Sequence, residues 1–185
     1  MANLLLGATG SSGCLDLPGY LVALKREFDV DIRIILTPMA ARMVSPELWG
    51  SMAGVRVYSD PFDRDDLIRV PHADLTTWAD HFFIMPATAN TISKVACGFA
   101  DNLLTTAVIS WARPVVFFPN MNVKMWNTPA IQRHVRTLVD LGHRVVAPTG
   151  NVRVTASGEE KAGGHMPSVP AVLEFVRGLL QVQEA

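Results

Sequence analysis

Cysteine is scarce in this chain. Cys14 and Cys97 are the two that its 185 residues carry, and they have neither the spacing of a metal site nor the density of a disulfide scaffold. Both fall among apolar neighbours that predict packing, so a reducing cytoplasm is the expected setting and no metal centre is expected. An excess of charge of one sign is missing as well. The formal net charge of -1 leaves no basic surplus to neutralise nucleic-acid phosphates or to meet an anionic membrane surface, which points to a small or peptide ligand. No apolar run reaches membrane-spanning length, and residues 1–7 enter an apolar stretch without a basic n-region, so neither a membrane segment nor a secretory signal is expected. Internal repeats and linkers are absent too. What the chain has is apolar bulk: 49% hydrophobic against 18% charged residues is enough for one buried core and leaves too little length for two, so a single domain over 1–185 is expected. Eight Met and four Trp leave room for surfaces that a partner subunit covers.

Short apolar runs alternate with helical patterns. Residues 3–6 read as a strand ending in GATGSSG, with Gly7, Gly10 and Gly13, and a helical pattern follows over residues 18–28. Glycine permits close backbone approach, and Thr9, Ser11 and Ser12 can donate hydroxyls to a phosphate held at the turn. The spacing is not GxGxxG and no acidic residue ends the next strand, which disfavours a dinucleotide and suits a mononucleotide phosphate. An ordinary glycine turn fits the same residues equally well. Residues 30–36 predict the second strand, interrupted by Arg33 and closed by Thr37-Pro38. Thr37 then stands at a strand's carboxyl end, as a phosphate contact, as the cap of a helix over residues 39–44, or as both. Residues 46–71 are less regular: a short helix, a brief strand at 55–58 and a loop. His72 follows Pro71 just before a short helical turn. A lone histidine is more often structural, yet imidazole is the side chain best suited to accept a proton near neutrality.

Residues 82–85 predict a buried strand that runs into PATANTISKVACGFADNLL, residues 86–104. Thr88, Asn90 and Thr91 stand where a helix should begin, beside unpaired N–H donors, so a planar polar ring edge or an anion can be held there. Asp101 and Asn102 repeat the arrangement before a second helix. Taken singly, Thr88 and Asp101 read as helix caps. Residues 114–118 predict another buried strand, followed by PNMNVKMW, residues 119–126. Asn120 and Asn122, Asn122 foremost, can pair with a carboxylate or amide; an asparagine-rich turn with Met and Trp in the core reads the same residues without a ligand. An amphipathic helix is expected over 129–141, a last strand over 143–147 and a closing helix over 168–181. Between them, residues 148–168 are glycine-rich with few large apolar side chains, which predicts a mobile lid, a binding loop or disorder. About five strand–helix alternations predict an α/β fold: a doubly wound parallel sheet in a Rossmann-like, flavodoxin-type three-layer sandwich. Every motif then falls at a strand's carboxyl end, along one edge of that sheet.

Over most of its length the chain resembles the homo-oligomeric flavin-containing cysteine decarboxylases. The resemblance is carried by GATGSSG, Thr37-Pro38-Met39-Ala40, the neighbourhood of His72, PATANT with ADNLL, and PNMNVKMW, which fits the family's PxMNxxMW pattern. It implies FMN as cofactor, with the phosphate at Gly10, Ser11 and Thr37 and the ring bordered by Thr88, Ala89 and Asn90; Ser12, Thr91, Asp101 and Asn102 join the cofactor-binding set. It implies His72 as the base and Asn122 as the partner of the substrate carboxylate. Asn120, Met121, Met125 and Trp126 would bind substrate, together with Ser157 and Gly158 of a flexible clamp loop at about 149–168. Similar proteins form trimers, often assembled into dodecamers, with the flavin at a subunit interface, so an obligate homo-oligomer is implied. The chemistry implied is oxidation of a C-terminal cysteine at Cβ, which creates the electron sink that lets carbon dioxide leave and gives an enethiolate.

One departure separates subclasses. Phosphopantothenoylcysteine decarboxylases carry a cysteine in the glycine-rich loop that helps return electrons to the enethiol, and residues 151–168 contain none. The resemblance is therefore strongest to the peptidyl-cysteine decarboxylases of the lantibiotic and thioamitide type, which release an aminoenethiol that a cyclising partner enzyme can take up, with the reduced flavin reoxidised elsewhere. The alternatives are a phosphopantothenoylcysteine decarboxylase of coenzyme A biosynthesis; a flavin prenyltransferase, which should lack the PxMNxxMW string; and a non-catalytic regulatory flavoprotein, for which His72 is dispensable.

Overall fold

Runs of aliphatic residues too continuous for a sheet with one wet face form the middle of a parallel sheet in the computed structural model, which describes residues 1–62, 68–153 and 160–181. The strands are β1 (Ala2–Ala8), β2 (Val30–Leu36), β3 (Arg56–Tyr58), β4 (His81–Ala87), β5 (Val116–Pro119) and β6 (Arg144–Val145). They lie in the order β3-β2-β1-β4-β5-β6, all parallel. The chain builds outward from β1 on one side and then outward from β4 on the other. The loops leaving β1 and β4 therefore diverge, and the crevice between them is where open α/β sheets place ligands.

The helices are α1 (Leu17–Glu27), α2 (Pro38–Met43), α3 (Pro46–Ala53), α4 (Pro71–Trp78), α5 (Ala89–Ala96), α6 (Leu103–Ser110), α7 (Val123–Trp126), α8 (Pro129–Asp140) and α9 (Val169–Gln181). Successive strand side chains point to opposite faces, so the core has two halves. Leu5, Ile35, Phe82, Ile84 and Phe117 pack on Leu75, Ile92, Leu104 and Leu138 from α4, α5, α6 and α8. Leu4, Leu6, Ile34, Phe83 and Phe118 pack on Leu17, Leu21 and Leu24 of α1 and on Val172 and Val176 of α9. Glycine at position 7 permits one of these approaches: a Cβ there would lie 2.3 Å from Leu104 Cδ1. That contact sets the first turn of α6 at the sheet's carboxyl edge.

The structure departs from the sequence reading in three places. Residues 148–168 contain an antiparallel hairpin, β7 (Gly150–Arg153) with β8 (Glu160–His165); glycine-rich backbone pairs here without the apolar alternation that would announce a strand. Ser157 and Gly158 lie outside the described residues. The strand expected over 143–147 is reduced to two residues at the sheet edge, although Arg144 N and Val146 N still donate to Val115 O and Phe117 O, at 2.9 Å each. Cys97 is exposed at the end of α5, whereas Cys14 is buried and burial pushes its thiol pKa up. No described helix is long and apolar enough to cross a membrane. Among the described residues no group of three or more His, Cys, Asp or Glu is placed to hold a metal ion.

Candidate functional site

The turns after β1, β2, β4 and β5 meet at the carboxyl edge around a cavity of about 760 Å³, a size that suits a cofactor or small ligand. Gly10, Ser11 and Ser12 line it from the first turn and Thr37 from the second. Thr88, Ala89, Asn90 and Thr91 line it at the start of α5, and Asp101 and Asn102 at the start of α6. Asn120, Met121, Asn122 and Met125 complete the wall after β5. All ten residues of the implied cofactor-binding set are thus brought to one cavity, with four of those expected at a substrate.

Hydrogen bonds stitch these turns together from β1 to β8. Thr9 N and Thr9 Oγ1 both donate to Pro86 O, at 3.2 and 2.7 Å, and Thr88 N donates to Thr9 Oγ1 at 2.8 Å. Asn120 N donates to Ala87 O at 2.9 Å, and Met121 N to Gly164 O at 2.9 Å. Gly164 is needed at that junction: its φ is 95° and a Cβ would fall 2.0 Å from Met121 O. The hairpin is therefore rooted on the Asn120-Met121-Asn122 turn. The hydroxyl of Thr9 is engaged in these bonds at 0% exposure, so it does not donate to a phosphate, which corrects the reading of that residue.

Capping and lining are done by the same side chains. Thr37 Oγ1 accepts from Ala40 N, Thr88 Oγ1 from Thr91 N, Asn102 Oδ1 from Thr105 N and Asn122 Oδ1 from Met125 N. Each cap stabilises its helix by about 1 kcal/mol. A hydroxyl that accepts keeps its own proton to donate, and an amide capping through Oδ1 keeps its Nδ2. Asn102 gives that Nδ2 to Asp101 Oδ1 at 3.0 Å; Asn122 Nδ2 has no partner among the described residues. Asp101 Oδ2 pairs with Lys94 Nζ, and the Lys94 hydrogen bond holds the Asp101 carboxyl pKa below the ordinary carboxylate value. Lys94, Pro38 and Met39 also line the cavity and escaped the sequence reading. Lys94 lies one helical turn beyond Asn90, the spacing that would have found it. Three buried polar atoms have no hydrogen-bond partner among the described residues: Ser11 Oγ and Asn120 Nδ2 at this edge, and Arg33 Nε, whose guanidinium instead lies 4.0 Å over the Trp78 ring.

Two expected residues are not on the lining. Trp126 packs against the core between helices, its carbonyl accepting from Gln132 Nε2 at 2.8 Å. His72 sits half-buried in the first turn of α4. The Asp74 carboxylate fixes that turn by accepting from Val70 N at 2.7 Å and Arg69 N at 2.6 Å, bonds that lower its pKa, the one to Val70 most. Because α4 runs back to the amino end of β4, its first turn stands at the same edge of the sheet as the cavity.

The flavoprotein family profile matches residues 1–181. The epidermin decarboxylase of Staphylococcus epidermidis is 31% identical over 178 residues, which are 94% of this chain and 93% of that protein. The phosphopantothenoylcysteine decarboxylase of Mus musculus is 31% identical over 184 residues, 96% of this chain and 87% of that one. Among solved structures, the FMN-dependent cysteine decarboxylase SpaF superposes with a TM-score of 0.80 at 31% identity over 94% of both chains.

Proposed function

We propose, since this chain belongs to the flavoprotein family, that it binds FMN and uses it to decarboxylate oxidatively the C-terminal cysteine of a ribosomally made precursor peptide, leaving an aminoenethiol. The observation that carries this reading is the meeting of the glycine turn, the PATANT and ADNLL segments and the PNMN turn in one cavity at the sheet's switch point. The donor set fits FMN, whose phosphate and ring edge are rich in acceptors: Ser11 Oγ and Asn120 Nδ2 are buried without partners among the described residues, and the Thr37 hydroxyl retains its proton after capping. When bound, FMN supplies the two-electron oxidation that a C-terminal cysteine needs before its carboxylate can leave.

The chain's own residues supply the rest. Gly10, Ser11, Ser12 and Thr37 hold the phosphate, and residues 88–91 border the ring. Asn122 Nδ2 grips the substrate carboxylate, while Met121 and Met125 exclude water around the reacting carbon. His72 of the partner subunit takes the thiol proton, so the site is complete in a homo-oligomer, a trimer with a dodecamer as the larger assembly. The surface agrees with such a cover: Val70 beside the histidine is 49% exposed, Met39 52% and Met125 44%. The hairpin region clamps the peptide, and the protein acts in the cytoplasm without nucleic acid or membrane.

The alternative is a phosphopantothenoylcysteine decarboxylase, favoured by the near full-length match to the mouse enzyme and opposed by the lack of cysteine in residues 151–168. Purified protein decides. A peptide ending in cysteine should lose about 46 Da, carbon dioxide plus two hydrogens, in the presence of yellow protein. Turnover of phosphopantothenoylcysteine with the peptide unchanged selects the alternative, and protein that takes up no FMN overturns both.

A further inference from the structure

We infer that Thr9, a residue off the cavity lining, is a positioning residue for the flavin site: its hydroxyl sets the turn that takes the phosphate against the turn that borders the ring. The inference rests on the FMN reading above and adds a residue to it. Thr9 Oγ1 donates to Pro86 O at 2.7 Å and accepts from Thr88 N at 2.8 Å. Its carbonyl accepts from Ser11 N at 2.8 Å and Cys14 Sγ at 3.2 Å. One side therefore grips Pro86 and Thr88, at the mouth of β4, and the other grips Ser11, in the glycine turn.

The neighbouring stitches, Asn120 N to Ala87 O and Met121 N to Gly164 O, are backbone bonds that any residue except proline preserves. Thr9 N to Pro86 O, at 3.2 Å, is another such bond, but the second bond to Pro86 O and the one from Thr88 N depend on the Thr9 side chain. It also lies at the point where the sheet order reverses, between β1 and β4. There the two turns belong to different halves of the fold, and the loops leaving the two strands run apart.

A valine at position 9 keeps the shape and removes the hydroxyl. Thr88 N–H then loses its partner inside the protein, and the start of α5 is held to the glycine turn only through Thr9 N to Pro86 O, which loosens it relative to Ser11. FMN affinity of the apoprotein, read by quenching of flavin fluorescence well below the unfolding temperature, should fall by about 10-fold in Thr9→Val, the effect of one unmade buried hydrogen bond. Thr9→Ser keeps the hydroxyl and should bind FMN within about twofold of the unchanged protein. A purely structural role would lower the melting temperature of Thr9→Val and leave the FMN dissociation constant of the folded protein unmoved. Equal FMN affinity in the valine variant overturns this inference alone. A serine variant that loses affinity overturns it too, and does so even if the valine variant fails to fold. An unchanged protein that does not bind FMN overturns the inference together with the function it rests on.

Discussion

At the amino end of the sheet, Asn3 Nδ2 donates to Trp78 O at 2.9 Å and Asn3 N to Asp80 Oδ2 at 2.8 Å. Arg113 donates to Ala79 O, and Val115 N donates to His143 Nδ1 at 3.2 Å. At the carboxyl end, Ser11 Oγ and Asn120 Nδ2 are buried with no partner among the described residues, and Thr37 and Asn122 cap helices while keeping a donor in hand. The same kinds of residue close strands at both ends, but one end consumes its polar groups in holding strands together and the other holds them open. A buried donor left unpaired destabilises the free protein, so such donors persist where something else compensates them. Arg33 Nε, the third such donor, belongs to a guanidinium stacked over Trp78, whereas Ser11 and Asn120 line the cavity, and that difference marks the carboxyl edge as the binding end.

The hardest test of that contrast is Asn122, which caps α7 and is proposed to hold the substrate carboxylate. Asn122→Ala removes both roles, whereas Asn122→Asp preserves the cap and places a carboxylate against the substrate's own. Both variants should lose about 100-fold or more in kcat/KM for a cysteine-terminated peptide, with only the alanine variant losing about 1 kcal/mol of stability through its cap. An aspartate variant that works would show that the end holds its amide for structure alone.

Gly164 tests whether the hairpin belongs to the binding end. Gly164→Ala forces a Cβ to 2.0 Å from Met121 O at a φ of 95°, a strain of about 1–3 kcal/mol. The expected result is a lower melting temperature and a raised KM for peptide with FMN still bound. Loss of FMN with the peptide KM unchanged would detach the hairpin from substrate binding.

How much of this contrast the sequence shows depends on what each residue needs. The strands are legible because central parallel strands bury both faces and read as unbroken apolar runs, as in residues 30–36 and 82–85. The cavity residues are legible because threonine, asparagine and glycine recur at several strand ends along one edge of the sheet, although each alone reads as a helix cap or a turn. Thr9 is misread because a hydroxyl in a glycine turn looks the same whether it faces a ligand or the next strand. The hairpin is missed because its pairing is carried by backbone, and Lys94 because its partner lies seven residues on, beyond the helix. Trp126 is placed in the substrate set by its motif, and its packing against core side chains is a tertiary fact that no local pattern contains.

The amino end responds to acid in a direction fixed by one buried histidine, His81, and one half-buried one, His143. His81 and His143 both have pKa values lowered from the ordinary 6.5, in each case chiefly because burial disfavours the charged ring. The unfolded chain then binds protons more readily than the native one, so their contribution is fully present above pH 6.5 and is lost as pH falls below it. Protonation of His143 at Nδ1 also removes the acceptor of Val115 N. The melting temperature should fall from pH 7.5 to 5.5. His143→Gln should reduce that slope and leave the part due to His81. A flat profile would mean that these rings are solvated and that the amino end is less closed than its hydrogen bonds indicate.

The smallest effect is expected at the carboxyl end's ion pair. Lys94 and Asp101 lie on the cavity wall with side chains 29% and 43% exposed, and water screens such a pair to within about 0–1 kcal/mol of no effect on stability. Asp101 keeps two further donors when the lysine is gone, Asn102 Nδ2 at 3.0 Å and Thr105 Oγ1 at 3.2 Å. Lys94→Met should therefore unfold within about a degree of the unchanged protein, while FMN affinity changes by a few-fold because a cation has left the wall. The two readouts pull apart at a binding end and move together at a structural one. A melting temperature that drops several degrees with FMN affinity intact would place Lys94 and Asp101 with Asn3 and Asp80, as groups that hold strands and helices together, and the boundary between the two ends would have to be drawn inside the cavity wall.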